Sequence, residues 1–412
     1  MKIAFINSVY KYGSTGRIVE ELARMAASEG HEVRIFYGRK KQEGDEISTY
    51  FGNRLSNILH VLITRIFDNH GFASKHKTRK LLRMLDEYKP DVLHLHNLHG
   101  YYINIKILFD YIKRNQIKTV WTLHDCWALT GHCTHFDYIQ CSLWRTECHR
   151  CLQKKDYPAS YIFDNSKVNH YRKKEIFRGL KDVVIVTPSE WLKKLVSESL
   201  LEEYPCHVIP NGIDTEVFRP LGKDNIDELK TKWSIPKDKK IVLGVANVWS
   251  EKKGLNTFIK LSKELDNSLY QIVLVGLNSK QIRALQKTAP KILRIKRTND
   301  INELVELYNT ADIFINPTLE ETFGLTNIEA LTCGIPVITF DTGGSPESLN
   351  NECGVVVEKG NYDALLDAVA EYCINRPNVI TCRERAKIYE KNTQYMEYIR
   401  LYKSIYGQGI MD

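Results

Sequence analysis

Short apolar runs separated by stretches of helix length recur along this 412-residue chain, and that alternation limits the folds open to it. Residues 2–7, 31–37, 90–97, 119–123 and 183–189 are such runs in the first half; 241–246, 271–276, 292–295, 312–317 and 337–340 are those of the second. Continuously apolar strands belong in parallel sheets covered on both faces, and strand–helix alternation builds a doubly wound α/β sheet. Two or three domains suit the length. The alternation restarts at Ile241 after a polar segment, 221–239, so two Rossmann-like domains joined there are expected.

The hydrophobic fraction of 43% suits a folded chain with proper cores. No apolar run reaches the roughly 18 residues of a membrane span, and residues 2–7 read as a first strand rather than a leader. A cytoplasmic protein is expected. Charge is unevenly placed: residues 1–210 hold 32 of the 58 Lys and Arg and 23 of the 50 Asp and Glu, a net +9, while the remainder is −1. All 13 histidines also precede residue 210. A basic half suits nucleic acid, an anionic membrane or a phosphorylated ligand; no nucleic-acid-binding motif accompanies the charge, so nucleic acid is not expected as a partner.

The stretch 319–331, LEETFGLTNIEAL, lies between two of the apolar runs and predicts a helix that starts near Phe323 and Gly324 with Thr322 as N-cap. Unpaired amides and the positive end of the dipole make such a terminus a diphosphate or sugar site. Glu321 stands before the helix and Glu329 in its second turn. Two glutamates at this spacing, with Phe-Gly between them and a Gly-x-Pro turn at 334–336, resemble the E-x7-E motif of retaining GT-B glycosyltransferases, family 4 in particular. Further landmarks of that family are matched by PDVLHLH at 90–96, TLHD at 122–125, PSEWL at 188–192, IPNGIDTEVFRP at 209–220 and TGGSPE at 342–347.

The resemblance covers nearly the whole chain. It implies a GT-B fold, with an acceptor domain at 1–218 completed by a C-terminal helix at 395–412, a donor domain at 219–394, and a cleft between. The implied activity is transfer of a hexosyl or related sugar, with retention, from a nucleotide sugar to a glycan or lipid-linked acceptor in bacterial surface-polysaccharide synthesis. It requires no catalytic cofactor. Catalytic roles fall on His124, Asp125, Lys253 and Glu321; donor-binding roles fall on Gly13, Ser14, Thr15, Gly16, Lys252, Thr322, Phe323, Gly324, Leu325 and Glu329. Residues 9–17 are read as the loop after the first strand, His94 or His96 as a core residue, and His99 and Gly100 as acceptor-side. The chain departs from the family where an Arg is expected ahead of Lys253: Asn247 and Val248 stand there. A GT-B nucleotide-sugar epimerase and a non-catalytic nucleotide-sugar-binding protein are the alternatives.

Two features lie outside the family motifs. Lys75, Lys77, Arg79, Lys80 and Arg83 on one helix, with Arg172, Lys173 and Lys174, suggest docking on the anionic inner face of the cell membrane; a solvated surface is the bland alternative. Cys133, Cys141, Cys148 and Cys151 crowd together while the other six of the ten cysteines are scattered. Without a secretory leader, disulfides are disfavoured. A structural zinc site is expected, with His132, His135 or His149 as substitute ligands; reduced thiols are the alternative, and an iron–sulfur or redox role a weaker one.

Overall fold

The computed structural model describes residues 1–43 and 45–407, apart from the side chains of residues 223 and 224. Two compact units result, Met1–Pro210 joined by the chain from Gln394, and Asn211–Thr393. Unit one holds strands β1 (Lys2–Asn7), β2 (Glu32–Tyr37), β3 (Ser48–Tyr50), β4 (Val92–Leu95), β5 (Thr119–Thr122), β6 (Val183–Thr187) and β7 (Cys206–Val208). They form one parallel sheet in the order β3-β2-β1-β4-β5-β6-β7. Unit two holds β8 (Lys240–Val245), β9 (Tyr270–Leu277), β10 (Leu293–Lys296), β11 (Ile313–Asn316), β12 (Val337–Phe340) and β13 (Gly354–Val357). Its sheet, also parallel, runs β10-β9-β8-β11-β12-β13. Strand order reverses beside β1 in one sheet and beside β8 in the other, and the crevice outside the strands' carboxyl ends at such a switch is where doubly wound sheets bind ligands.

Each sheet is buried on both faces, as the apolar runs require. In unit one, Ala4, Ile6, Leu93 and Leu95 face one core, while Ile3, Phe5, Val92 and Val120 face the other. The second core is completed by Tyr395, Tyr398, Ile399 and Tyr402, all buried, from the helix Lys391–Gly407. Burying an aliphatic or aromatic side chain of this size is worth about 1.5–3 kcal/mol, so this last helix is part of unit one's stability. The expected helix at 395–412 is thus present through Gly407; residues 408–412 lie outside the described residues.

The boundary expected at 218/219 is corrected to 210/211. Ile213 donates its amide to Tyr389 O at 2.8 Å and accepts from Lys391 N at 2.9 Å. Asp214 pairs with Lys391, and Phe218 packs on Tyr308. These partners hold residues 211–218 in unit two. Nor is 221–239 a bare connection: it contains the helix Lys223–Lys232, and Lys232 and Trp233 both bond Glu306, at 2.6 and 3.0 Å.

Candidate active site

In unit two the chain leaves β11 at the switch point and forms a loop before the helix Leu325–Thr332. The helix starts two residues later than expected, and its N-cap is Gly324, not Thr322. Gly324 takes φ +81°, a left-handed conformation open to glycine, and a Cβ there would stand 3.0 Å from Asn327 Nδ2 and 3.2 Å from Ser345 Oγ. The Thr322 amide instead donates to Glu321 Oε1 at 3.1 Å.

The turn Glu251–Lys253 docks on this loop. Leu319 N donates to Lys252 O at 2.8 Å, and Gly254 lies against Pro317 so closely that a Cβ would meet the ring at 2.5 Å. Two lysines are thereby set beside two glutamates. Lys252 Nζ lies 3.1 Å from Glu320 Oε2, and Lys253 Nζ lies 2.9 Å from Glu321 Oε2. Glu329 accepts from Tyr308 OH at 2.8 Å. Asn247 and Val248 are exposed, so the cations gathered at this loop are lysines, which act as point charges without the bidentate fork of arginine.

A buried network escaped the sequence reading. Asn327, fully buried, donates from Nδ2 to Ser345 Oγ and Ser348 Oγ at 2.9 Å each and accepts from Asn316 Nδ2 at 2.8 Å. It fastens the helix's first turn to the Gly-Gly loop after β12. Gly343 approaches the backbone of Glu321 so nearly that a Cβ would fall 1.6 Å from its carbonyl oxygen. A polar residue within a predicted amphipathic helix, immediately before a core isoleucine, was the available signal.

In unit one, His124 and Asp125 follow β5 at its carboxyl end. His124 Nε2 is 3.0 Å from His96 Nδ1, with the rings stacked 5.3 Å apart. Burial lowers the His124 imidazole to about 4 despite the opposing charge of Asp125, so it is neutral at pH 7. For Asp125 burial pushes the carboxyl up, but His99, His135 and the Trp127 amide hold it down at about 2. Asp125 Oδ2 lies 2.7 Å from His99 Nε2, whose Nδ1 meets Tyr157 OH at 3.0 Å. His94 is a core residue: its nitrogens bond Tyr402 OH at 2.6 Å and Thr122 Oγ1 at 2.8 Å.

Gly13, Ser14, Thr15 and Gly16 do not form a loop. They are the first turn of the helix Gly13–Ser28, beside the switch between β1 and β4, where Asn97 Nδ2 reaches Thr15 Oγ1 at 3.4 Å. Gly16 packs under the preceding loop, where a Cβ would meet Val9 and Lys11 at 3.3–3.4 Å.

Residues 15–217 match the sequence profile of Glycosyltransferase Family 4, and residues 225–394 that of Glycosyl transferases group 1. The putative colanic acid biosynthesis glycosyl transferase WcaC of Escherichia coli is 22% identical over 87% of this chain and 88% of its own. The capsular polysaccharide biosynthesis glycosyltransferase CapM of Staphylococcus aureus is 28% identical over 45% of this chain and 50% of its own. Sucrose-phosphate synthase from Thermosynechococcus elongatus superposes with a TM-score of 0.71 at 17% identity, covering 99% of both chains. HepE from Anabaena, solved with UDP-glucose, gives 0.68 at 16% identity over 98% of this chain and 100% of its own. The chain is a GT-B glycosyltransferase.

One surface expectation for this glycosyltransferase needs revision. Lys173 is not a surface cation: it is buried, and its Nζ donates to Trp127 O at 2.6 Å and Thr130 O at 2.9 Å, while burial lowers it to about 7. Arg172 is spent on Phe72, 3.7 Å below its guanidinium, and on Asn69 at 3.0 Å. Of that cluster Lys174 alone is fully exposed. On the helix Lys75–Tyr88, Lys75, Arg79 and Arg83 are exposed and Leu81 and Leu85 are buried, an amphipathic pattern that leaves these cations at the surface.

Cys133, Cys141, Cys148 and Cys151 of the glycosyltransferase line one cavity of about 280 Å³, together with His132 and His149. Cys133 and Cys151 share a hydrogen bond, and Gly131 N donates to Cys148 Sγ at 3.2 Å. None of the four is in a disulfide. His132 is committed through Nδ1 to Asp68 at 2.5 Å. Among the described residues no group of three or more His, Cys, Asp or Glu is arranged to hold a metal ion, so the zinc cage expected from sequence is not preformed.

Proposed function

We propose that this glycosyltransferase moves a sugar, with retention of configuration, from a nucleotide-sugar donor to a glycan or lipid-linked acceptor in cell-surface polysaccharide synthesis. The observation that carries the reading is the pair of Lys–Glu contacts, Lys252–Glu320 and Lys253–Glu321, held before a helix N-terminus at unit two's switch point. A diphosphate entering there exchanges the carboxylate partners of the lysines for its own oxygens, and the helix amides near Phe323–Leu325 add donors. Glu321, relieved of Lys253, takes sugar hydroxyls; Glu329 takes the ribose. In unit one, neutral His124 offers one donor and one acceptor to a hydroxyl, and Asp125 fixes the neighbouring ring of His99. Gly13 to Gly16, as a helix N-terminus, suit the donor's phosphates.

The glycosidic bond loosens toward an oxocarbenium ion as the diphosphate leaves. A double displacement needs a carboxylate on the opposite face of the ring, and no motif supplies one, so the acceptor attacks on the face the phosphate leaves. WcaC and CapM, whose names place them in polysaccharide synthesis, support the acceptor class, and the UDP-glucose complex of HepE supports the donor class. Thermal-shift measurement with a panel of nucleotide sugars tests the reading: a donor should raise the melting temperature by mass action, and no response from any nucleotide sugar or nucleoside diphosphate would overturn it.

Two subsidiary proposals go with it. The protein works at the anionic inner face of the cell membrane, where a lipid-linked acceptor is presented; among the described residues no helix is long and apolar enough to cross a membrane. The four thiols facing one cavity form a structural zinc site once the loop tightens to the ~2.3 Å Zn–S distance.

A further inference from the structure

The helix Arg54–Phe67 is turned inside out. Its two buried residues are His60 and Thr64. His60 Nδ1 bonds Ser74 Oγ at 2.9 Å, its Nε2 accepts from Gly71 N at 3.2 Å, and Asn57 Nδ2 donates to Gly38 O at 2.9 Å. Positions 57, 60 and 64 thus anchor a polar face against unit one. The opposite face carries Leu55, Ile58, Leu59, Leu62 and Ile66, a helical i, i+3, i+4, i+7, i+11 stripe, and these are 37–76% exposed. A water-facing helix shows the reverse pattern.

The stripe continues onto a second segment. Tyr161 N donates to Arg65 O at 2.8 Å and Phe163 N to Ile66 O at 3.0 Å, and Phe163 stacks on Phe67 at 5.7 Å. Tyr161, Ile162 and Phe163 are 50–61% exposed. Contiguous apolar surface of this kind marks an interaction site.

We propose that this ridge is the element that inserts into the anionic bilayer, with the helix lying in the plane of the interface. The proposal deepens the membrane reading above and rests on it. Charge selects the occupant. Residues 51–67 contain no Asp or Glu, and exposed Arg54 and Arg65 stand near the two ends of the stripe, about 16 Å apart at 1.5 Å per residue. Asp164, the nearest acid after Phe163, is exposed, but its carboxylate is engaged by Cys151 N and Ser166 N, at 2.7 and 3.0 Å. Apolar side chains at the acyl boundary with arginines at phosphate level are the arrangement of an interfacial helix. A second copy docked helix to helix on the same face would oppose arginine to arginine, with no acid within residues 51–67 to meet them.

The test is sedimentation of the full chain with vesicles of phosphatidylglycerol and phosphatidylcholine, and with phosphatidylcholine alone, at low salt. The chain should bind the anionic vesicles, and Leu59→Glu with Leu62→Glu should weaken partition at least ~10-fold, with the melting temperature and nucleotide-sugar affinity unchanged. Leu62→Trp keeps the face apolar, and its added fluorescence should be quenched by brominated phosphatidylglycerol; this readout stands even if the double variant misfolds. Unaltered partition of a folded double variant, absence of quenching, or a wild-type dimer that the double variant dissolves without vesicle binding would each overturn the proposal. Vesicle binding by a chain that takes no nucleotide sugar would overturn the donor reading and leave this one supported.

Discussion

Lys253 Nζ lies 2.9 Å from Glu321 Oε2, so the cation assigned to the leaving diphosphate and the carboxylate assigned to the sugar are each other's partners before a donor arrives. Glu321→Gln keeps the shape and removes the charge. Turnover should fall at least ~100-fold, as when a preorganised contact of the transition state is lost, with the fold intact by circular dichroism. Glu329→Ala should raise the Kd for the nucleotide while kcat changes little. Full activity in both variants would refute the donor assignment.

Asn327 is a prediction about stability. Asn327→Ala leaves Asn316, Ser345 and Ser348 short of a buried partner, and about 1–3 kcal/mol of unit two's stability should be lost for each group left unsatisfied. Urea unfolding of the variant, with nucleotide-sugar affinity measured alongside, checks this; a change below 0.5 kcal/mol, on the order of a surface substitution, would show the network to be dispensable.

The buried histidines set the response to acid. Burial lowers His60 to about 3 and His124 to about 4, and takes His70, His94 and His96 well below their usual range. Between those values and the unfolded value of about 6.5, the unfolded chain binds more protons, so stability rises with pH through that window and is lost as pH falls through it. The melting temperature should drop by at least ~5 °C between pH 7 and pH 5. His94→Gln should lessen the drop.

For the cysteines, elemental analysis of protein purified without chelator should give about one zinc per chain, and Cys148→Ser with Cys151→Ser should lose it. Chelation should lower the melting temperature without a proportional loss of donor affinity. Metal-free protein of unchanged stability would leave four reduced thiols around a cavity.

The inner strands of both sheets were legible as continuously apolar runs, whereas the edge strands β3 and β13 were not, and Lys253 and Glu321 were legible through a motif. What was not legible depends on partners far away in sequence. His94 faces a tyrosine 308 residues on, and nothing local to β4 announces it. Thr322 has N-cap chemistry, yet packing of the Gly-Gly loop on Glu321 gives the cap to Gly324. The cluster Arg172 to Lys174 reads as surface charge until the fold buries Lys173 against two carbonyls. The apolar stripe of residues 55–66 is visible as a period; only the structure tells which face looks out.

The chain leaves unit one at Pro210 and comes back to it at Gln394. Tyr395, Tyr398 and Tyr402, which seal the face of β1 and β4, are therefore translated after all of unit two. At about 5–20 residues per second, the first sheet emerges from the ribosome and waits roughly 10–40 s with Phe5, Val92 and His94 uncovered. Unit two, whose core is drawn from one continuous segment, has no such delay. The second half of the chain can therefore be native on the ribosome while the first is still a client for chaperones.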